Sequence, residues 1–163
     1  MVGGEECCPE AMAFGPDIVV TERDGWEPAL VVEAKVNAQD LESTERQQKT
    51  YMFGTLCPVG LIVTPSQLRL YRNRYLSSPE DSVELVGAFD VRNVLHYRRS
   101  TDGREDAFEF EGFVQAWLEG LGSEAGLQGL PAELRRAAQW YIFPAVSEGD
   151  IQAAHPRPPA SVS

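Results

Sequence analysis

Two β-branched runs set back to back constrain this chain more than any other feature. Asp17–Glu22 reads DIVVTE and Pro28–Lys35 reads PALVVEAK, with Arg23-Asp24-Gly25-Trp26-Glu27 between them. Val, Ile and Thr suit a pleated backbone, and Asp-Gly is a dipeptide that closes hairpins. The expectation is an antiparallel hairpin whose second strand ends on two opposite charges, Glu33 and Lys35. Strand side chains alternate faces, so Glu33 and Lys35 point one way and Ala34 the other. A loop that pairs Arg23 with Glu27 puts Asp17 opposite Glu33 on that same face. A two-residue Asp-Gly turn shifts the ladder by one and moves Asp17 to the other face. The sequence leaves both registers open.

Downstream, Leu41, Thr44, Gln48, Tyr51 and Met52 fall near one another on a helical wheel. This predicts a helix over Asn37–Gly54 that lies on a sheet. Asp40 is its expected N-cap, and Gly54 with Pro58 its expected stop. Pro58–Thr64 (PVGLIVT), Gln67–Arg72 (QLRLYR) and Val83–Val91 read as further strands, the first two joined by a Pro65-Ser66 turn. Ala107–Leu121 and Pro131–Phe143 read as helices, the second with proline in its first turn. A helix between two strands requires a crossover, so at least one pair is parallel and the fold is mixed α/β. The expected organisation is a lead-in over residues 1–14, a core over 15–100, a C-terminal helical extension over 101–148 and a tail over 149–163. That tail is rich in Pro, Ala and Ser, and disorder is expected there.

Charge and cysteines narrow the function classes. A net charge of −11 argues against a simple nucleic-acid coat, because phosphate binding rests on Lys and Arg. Between Arg69 and Arg104, however, seven arginines stand against five acids, which permits a local phosphate contact. Cys7, Cys8 and Cys57 are an odd set with two neighbours adjacent. They suit neither a disulfide framework nor a zinc site, and a reducing, cytoplasmic setting is expected. No apolar run approaches a membrane span, and Met1–Phe14 is acidic, unlike a cationic secretion signal. His96 has no acid at useful spacing, His155 falls in the tail, and no glycine-rich phosphate loop or nucleophile elbow is present. Trp117 and Trp140 are expected as core anchors.

One constellation carries chemistry. Pro16-Asp17, fifteen intervening residues and then Glu33-Ala34-Lys35 resembles the motif of the PD-(D/E)xK, or restriction-endonuclease-like, nuclease superfamily. Gln47-Gln48-Lys49-Thr50-Tyr51 is similar to the Q-x-x-x-Y element of its RecB-like branch, so the resemblance covers roughly residues 15–75. It implies a mixed β-sheet flanked by helices and magnesium-dependent cleavage of DNA, with manganese as an alternative cation. Two carboxylates, Asp17 and Glu33, are the oxygen ligands magnesium favours, and the resemblance adds the main-chain carbonyl of Ala34. Lys35 would orient the attacking water, and Gln47 and Tyr51, one helical turn apart, would position the phosphate or Lys35. The family usually places a helix bearing another acid, and a further strand, ahead of the Pro-Asp strand. Fourteen residues precede Gly15 here, and the expectation is either an N-terminally shortened relative lacking the usual helix or a first strand and helix supplied by a protein partner; Glu5, Glu6 and Glu10 are candidates for the acid. The rival expectation is a catalytically inactive accessory subunit of a restriction, defence or repair complex with the same fold. A plain acidic interaction protein, in which E-x-K is accidental, would set Asp17 and Glu33 apart.

Overall fold

The structure, a computed structural model, describes residues 16–23, 25–37, 39–98 and 106–153. The hairpin forms as β1 (Ile18–Glu22) and β2 (Pro28–Ala34). Near the loop, the Glu22 N–H donates to the Glu27 carbonyl and Thr21 stands opposite Pro28, the pairing of a two-residue turn. Continued unbroken, that ladder would bring Asp17 opposite Val32, on the wrong face. A β-bulge between Val20 and Thr21 prevents this by leaving Ala29 as an extra residue. Beyond it Val20 faces Leu30, Val19 faces Val31 and Ile18 faces Val32. A bulge sets two residues against one and resets the alternation. One step further along, Asp17 falls opposite Glu33. The loop follows one of the two expected registers, and the acids follow the other.

Helix α1 (Leu41–Thr55) then crosses to β3 (Val59–Val63), which runs parallel to β2. The expected N-cap position holds, but its capping role and the expected stop are corrected. Asp40 occupies the N-cap position in the left-handed conformation (φ 59°), and its side chain caps nothing. Its carbonyl instead accepts from the Thr44 N–H. The stop is Leu56 (φ 61°) rather than Gly54; the N–H groups of Leu56 and Cys57 both return to the Met52 carbonyl. Satisfying the last carbonyls in this way offsets the cost of a left-handed leucine.

Strands β4 (Gln67–Asn73) and β5 (Val83–Asp90) follow, with a short helix α2 (Pro79–Ser82) between them. The sheet has six strands among the described residues, in the order β5-β4-β3-β2-β1-β6. Only β2 and β3 are parallel neighbours in it. The last strand, β6 (Gly149–Ala153), lies antiparallel to β1 and corrects the expectation of disorder from residue 149 onward. Composition misled there because β1 offers an outer edge of backbone donors and acceptors that a strand can complete. Residues 154–163, like Met1–Phe14, lie outside the described part.

Between β5 and β6 the chain is helical: α3 (Arg92–Leu95), α4 (Asp106–Gly120), α5 (Glu124–Gln128) and α6 (Ala132–Ala137). Helix α6 runs through a π-turn at Ala138–Ile142 into α7 (Phe143–Glu148). Pro144 explains the π-turn: it has no N–H to give the Trp140 carbonyl, and its ring would press on that carbonyl. The Phe143 N–H therefore reaches back five residues to Ala138. Trp117 packs on the core as expected, whereas Trp140 is 76 % exposed and is no anchor.

Helices cover both faces of the sheet. Leu30, Val32 and Ala34 of β2 pack with Phe110, Val114 and Leu118 of α4 and with Ile142 and Val146. Val31 on the other face joins Ile62, Tyr71 and Met52 of α1. None of the described helices is long and apolar enough to cross a membrane. Close approach of α1 to β3 depends on Gly60, where an added Cβ would lie 2.5 Å from Met52 Sδ and 2.8 Å from Gln48 Nε2. Gly60→Ala should therefore cost about 1–3 kcal/mol through overpacking. A lowered urea midpoint with an unchanged slope is the expected reading.

Candidate functional site

The site forms where β1 begins and β2 ends. Asp17 enters β1, Glu33 is the second-last residue of β2, and Lys35 follows the strand, its N–H donating to the Val63 carbonyl of β3. Asp17 is 5 % and Glu33 4 % exposed, although both are acids. Asp17 Oδ2 accepts the Ala34 N–H at 2.8 Å, so the main chain of β2 fixes that carboxylate. Lys35 Nζ lies 3.7 Å from Asp17 Oδ2 and 3.5 Å from Glu33 Oε1. Two carboxylates from neighbouring strands thus share one ammonium, and the Lys35 side chain keeps 40 % of its surface in solvent.

Crowding two acids in a buried place has an electrostatic consequence. Burial, and then the Asp17 charge, push the Glu33 carboxyl up to about 8, and Lys35 offsets this only in part. For Lys35, burial works against the ammonium, but Asp17 and Glu33 outweigh it and hold its pKa above the usual lysine value. Lys35 stays charged at neutral pH, while Glu33 holds a proton that a nearby positive charge would expel.

A further acid reaches the same place. Glu111 of α4 is 7 % exposed, and its charge acts on both Glu33 and Lys35. The family pattern places another acid ahead of Asp17, so it gives no expectation of Glu111. A signal was present: Glu111 interrupts the apolar stripe of α4, three residues before Val114 and seven before Leu118. An acid on the buried stripe of an amphipathic helix is out of place unless it faces a polar site.

Helix α1 lies over the same face. Its Glu45 accepts a hydrogen bond from Tyr71 of β4 at 2.7 Å, and its Lys49 pairs with Glu80 of α2 at 3.6 Å. That flank looks toward β4. Gln47 and Tyr51 occupy the opposite flank of the helix, and both are half-buried. Tyr51 packs against the cluster containing Val31, and burial raises the pKa of its phenol. Gln48, rather than Gln47, turns fully into the sheet against Gly60. The structure thus brings Asp17, Glu33, Ala34 and Lys35 together and packs Tyr51 in the cluster of Val31 from β2, with Gln47 one turn away on the same helix. Among the described residues, no group of three or more His, Cys, Asp or Glu side chains has the geometry of a metal site. No protein-family model, curated protein or solved structure matches this chain.

The displaced titration of Glu33 is measurable. With a folded pKa of about 8 against an ordinary 4.5, the folded chain keeps a proton that the unfolded chain releases. Stability must then fall as pH rises through that window and level off above it. The decline is at most about 1.4 kcal/mol per pH unit. Glu33→Gln, always neutral, should flatten the decline in urea titrations run from about pH 5 to about pH 9. An unchanged pH profile would mean that Glu33 titrates normally.

Proposed function

We propose that this domain is a metal-dependent phosphodiesterase acting on DNA, with magnesium or manganese held at Asp17 and Glu33. The observation that carries this reading is the approach of one ammonium to within 3.7 Å of two buried carboxylates from adjacent strands. The donor set fits a hard divalent ion, since magnesium takes one or two carboxylates and keeps several waters. The raised pKa of Glu33 fits as well, because a cation there offsets the repulsion between the two acids. When bound, such an ion neutralises phosphate oxygens and acidifies a water.

The remaining roles belong to the chain itself. The Ala34 N–H holds Asp17 in place, and the Ala34 carbonyl is the further oxygen ligand that the family resemblance implies. Lys35, charged and partly in solvent, orients the attacking water and offsets the charge that builds on phosphorus. Gln47 and Tyr51 position the phosphate or Lys35 from α1. Glu111 adds negative potential that favours a cation over an anion at the site. The buried free thiol of Cys57 is in keeping with a cytoplasmic setting.

Lys35→Ala should lower the DNA cleavage rate about 100-fold or more while the thermal unfolding curve stays cooperative. Cleavage at the parent rate would remove Lys35 from the chemistry. Calorimetric titration with magnesium should give a saturable heat that Asp17→Asn abolishes.

One observation favours a second reading, a non-cutting accessory subunit. Three of the seven arginines expected to meet phosphate are already engaged: Arg72 and Arg74 both bind Glu84 at 2.7 Å, and Arg92 binds Asp90 at 2.6 Å. A flat magnesium titration selects that reading.

A further inference from the structure

At the far end of the sheet from the acid cluster, a cavity of about 530 Å³ opens between the hairpin loop and the α6–α7 helix. Glu22 and Arg23 line it from β1 and its loop, and Trp140, Tyr141 and Glu148 line it from the helix. Its size falls in the range of ligand-binding clefts. Two backbone irregularities described above border it. The bulged residue Ala29 forms part of its wall, and the π-turn carries Trp140 and Tyr141.

The π-turn decides which side chains face the cavity. Leu134, Ala138, Ile142 and Val146 are all buried at a spacing of four residues. On an α-helix of 3.6 residues per turn, that spacing drifts by about 40° at every step. The wider π-turn takes up the drift and keeps all four on the core. Trp140, two residues from both Ala138 and Ile142, is thereby directed outward. On binding surfaces Trp and Tyr carry much of the binding energy.

The charge balance selects the occupant. Two carboxylates, Glu22 and Glu148, and one guanidinium, Arg23, line the cavity, and neither carboxylate is in an ion pair among the described residues; Arg72, which reaches Tyr141 from β4, is already paired with Glu84. Aromatic faces attract cations, best of all on Trp, and a planar guanidinium can stack on a ring while its edge meets a carboxylate. The whole chain carries −11, so a basic partner is also drawn toward it over a distance.

We propose that this cavity receives an arginine side chain from a basic segment of a protein partner, stacked on Trp140 and paired with Glu148. The site is separate from the acid cluster and does not depend on the phosphodiesterase reading.

The test uses the full chain, 15N-labelled, and the blocked peptide acetyl-Gly-Arg-Arg-Gly-amide. Its control is the same peptide with alanine in place of arginine. The indole N–H resonance of Trp140, assigned by its loss in Trp140→Phe, should shift saturably with the arginine peptide alone. Glu148→Gln and Trp140→Ala should each weaken binding about tenfold or more, with Lys35→Ala leaving it unchanged. If Trp140→Ala does not fold, Glu148→Gln together with Glu22→Gln gives the same comparison. No saturable shift up to about 10 mM peptide would overturn the proposal. So would an equal response to the alanine peptide or to adenosine monophosphate, or binding indifferent to the Glu148 and Trp140 changes.

Discussion

Everything at the candidate site depends on one ammonium standing between two carboxylates that burial would otherwise drive apart. Asp17 and Glu33 are almost wholly removed from solvent, and Lys35 lies against both. Burying a pair of acids without a compensating charge is among the costlier arrangements a fold can hold. The chain manages it with two devices. The Ala34 N–H ties one acid to the backbone, and the other acid tends to keep its proton. The lysine completes the arrangement from the end of the strand, where its head still reaches water.

The position of those groups follows from local backbone events more than from the hydrophobic pattern. A single extra residue, Ala29, decides whether Asp17 meets Glu33 or is buried on the other face. No propensity scale flags it, since alanine is unremarkable in either setting. The strands themselves were legible because Val, Ile and Leu runs between turn residues admit few other structures. Helix α1 and its N-cap position were legible from the sequence, and its stop and cap geometry were not. Asp40 and Leu56 adopt left-handed backbone that only the surrounding contacts stabilise. Within the site, strand alternation put Glu33 and Lys35 on one face, whereas Asp17 joined them in only one of the two registers the sequence left open. Glu111 could not be placed, because its contribution depends on how a helix many residues later packs on the sheet.

The C-terminal part departs furthest from what local sequence conveys. A proline at position 144 would ordinarily end or bend a helix, yet buried residues continue on both sides of it. A wider turn reconciles the two demands. Beyond it the chain forms a strand from Gly149-Asp-Ile-Gln-Ala153, a segment with weak strand character of its own. Tertiary context supplies what propensity lacks: Gly149 fits so closely against the carbonyls of Thr21 and Ala145 that no side chain could replace its hydrogen.

Because β6 pairs with β1 in antiparallel register, Ala153 stands beside Ile18, one position from Asp17. Among the described residues, the start of the first strand and the end of the last therefore meet at one corner of the sheet. The fold is in this sense nearly cyclic, and the linear order of its parts carries little weight. An acidic helix that enters after all but one of the strands, as α4 does, can stand over the same corner as one entering before them. Spatial neighbourhood, rather than rank along the chain, is what such an architecture preserves.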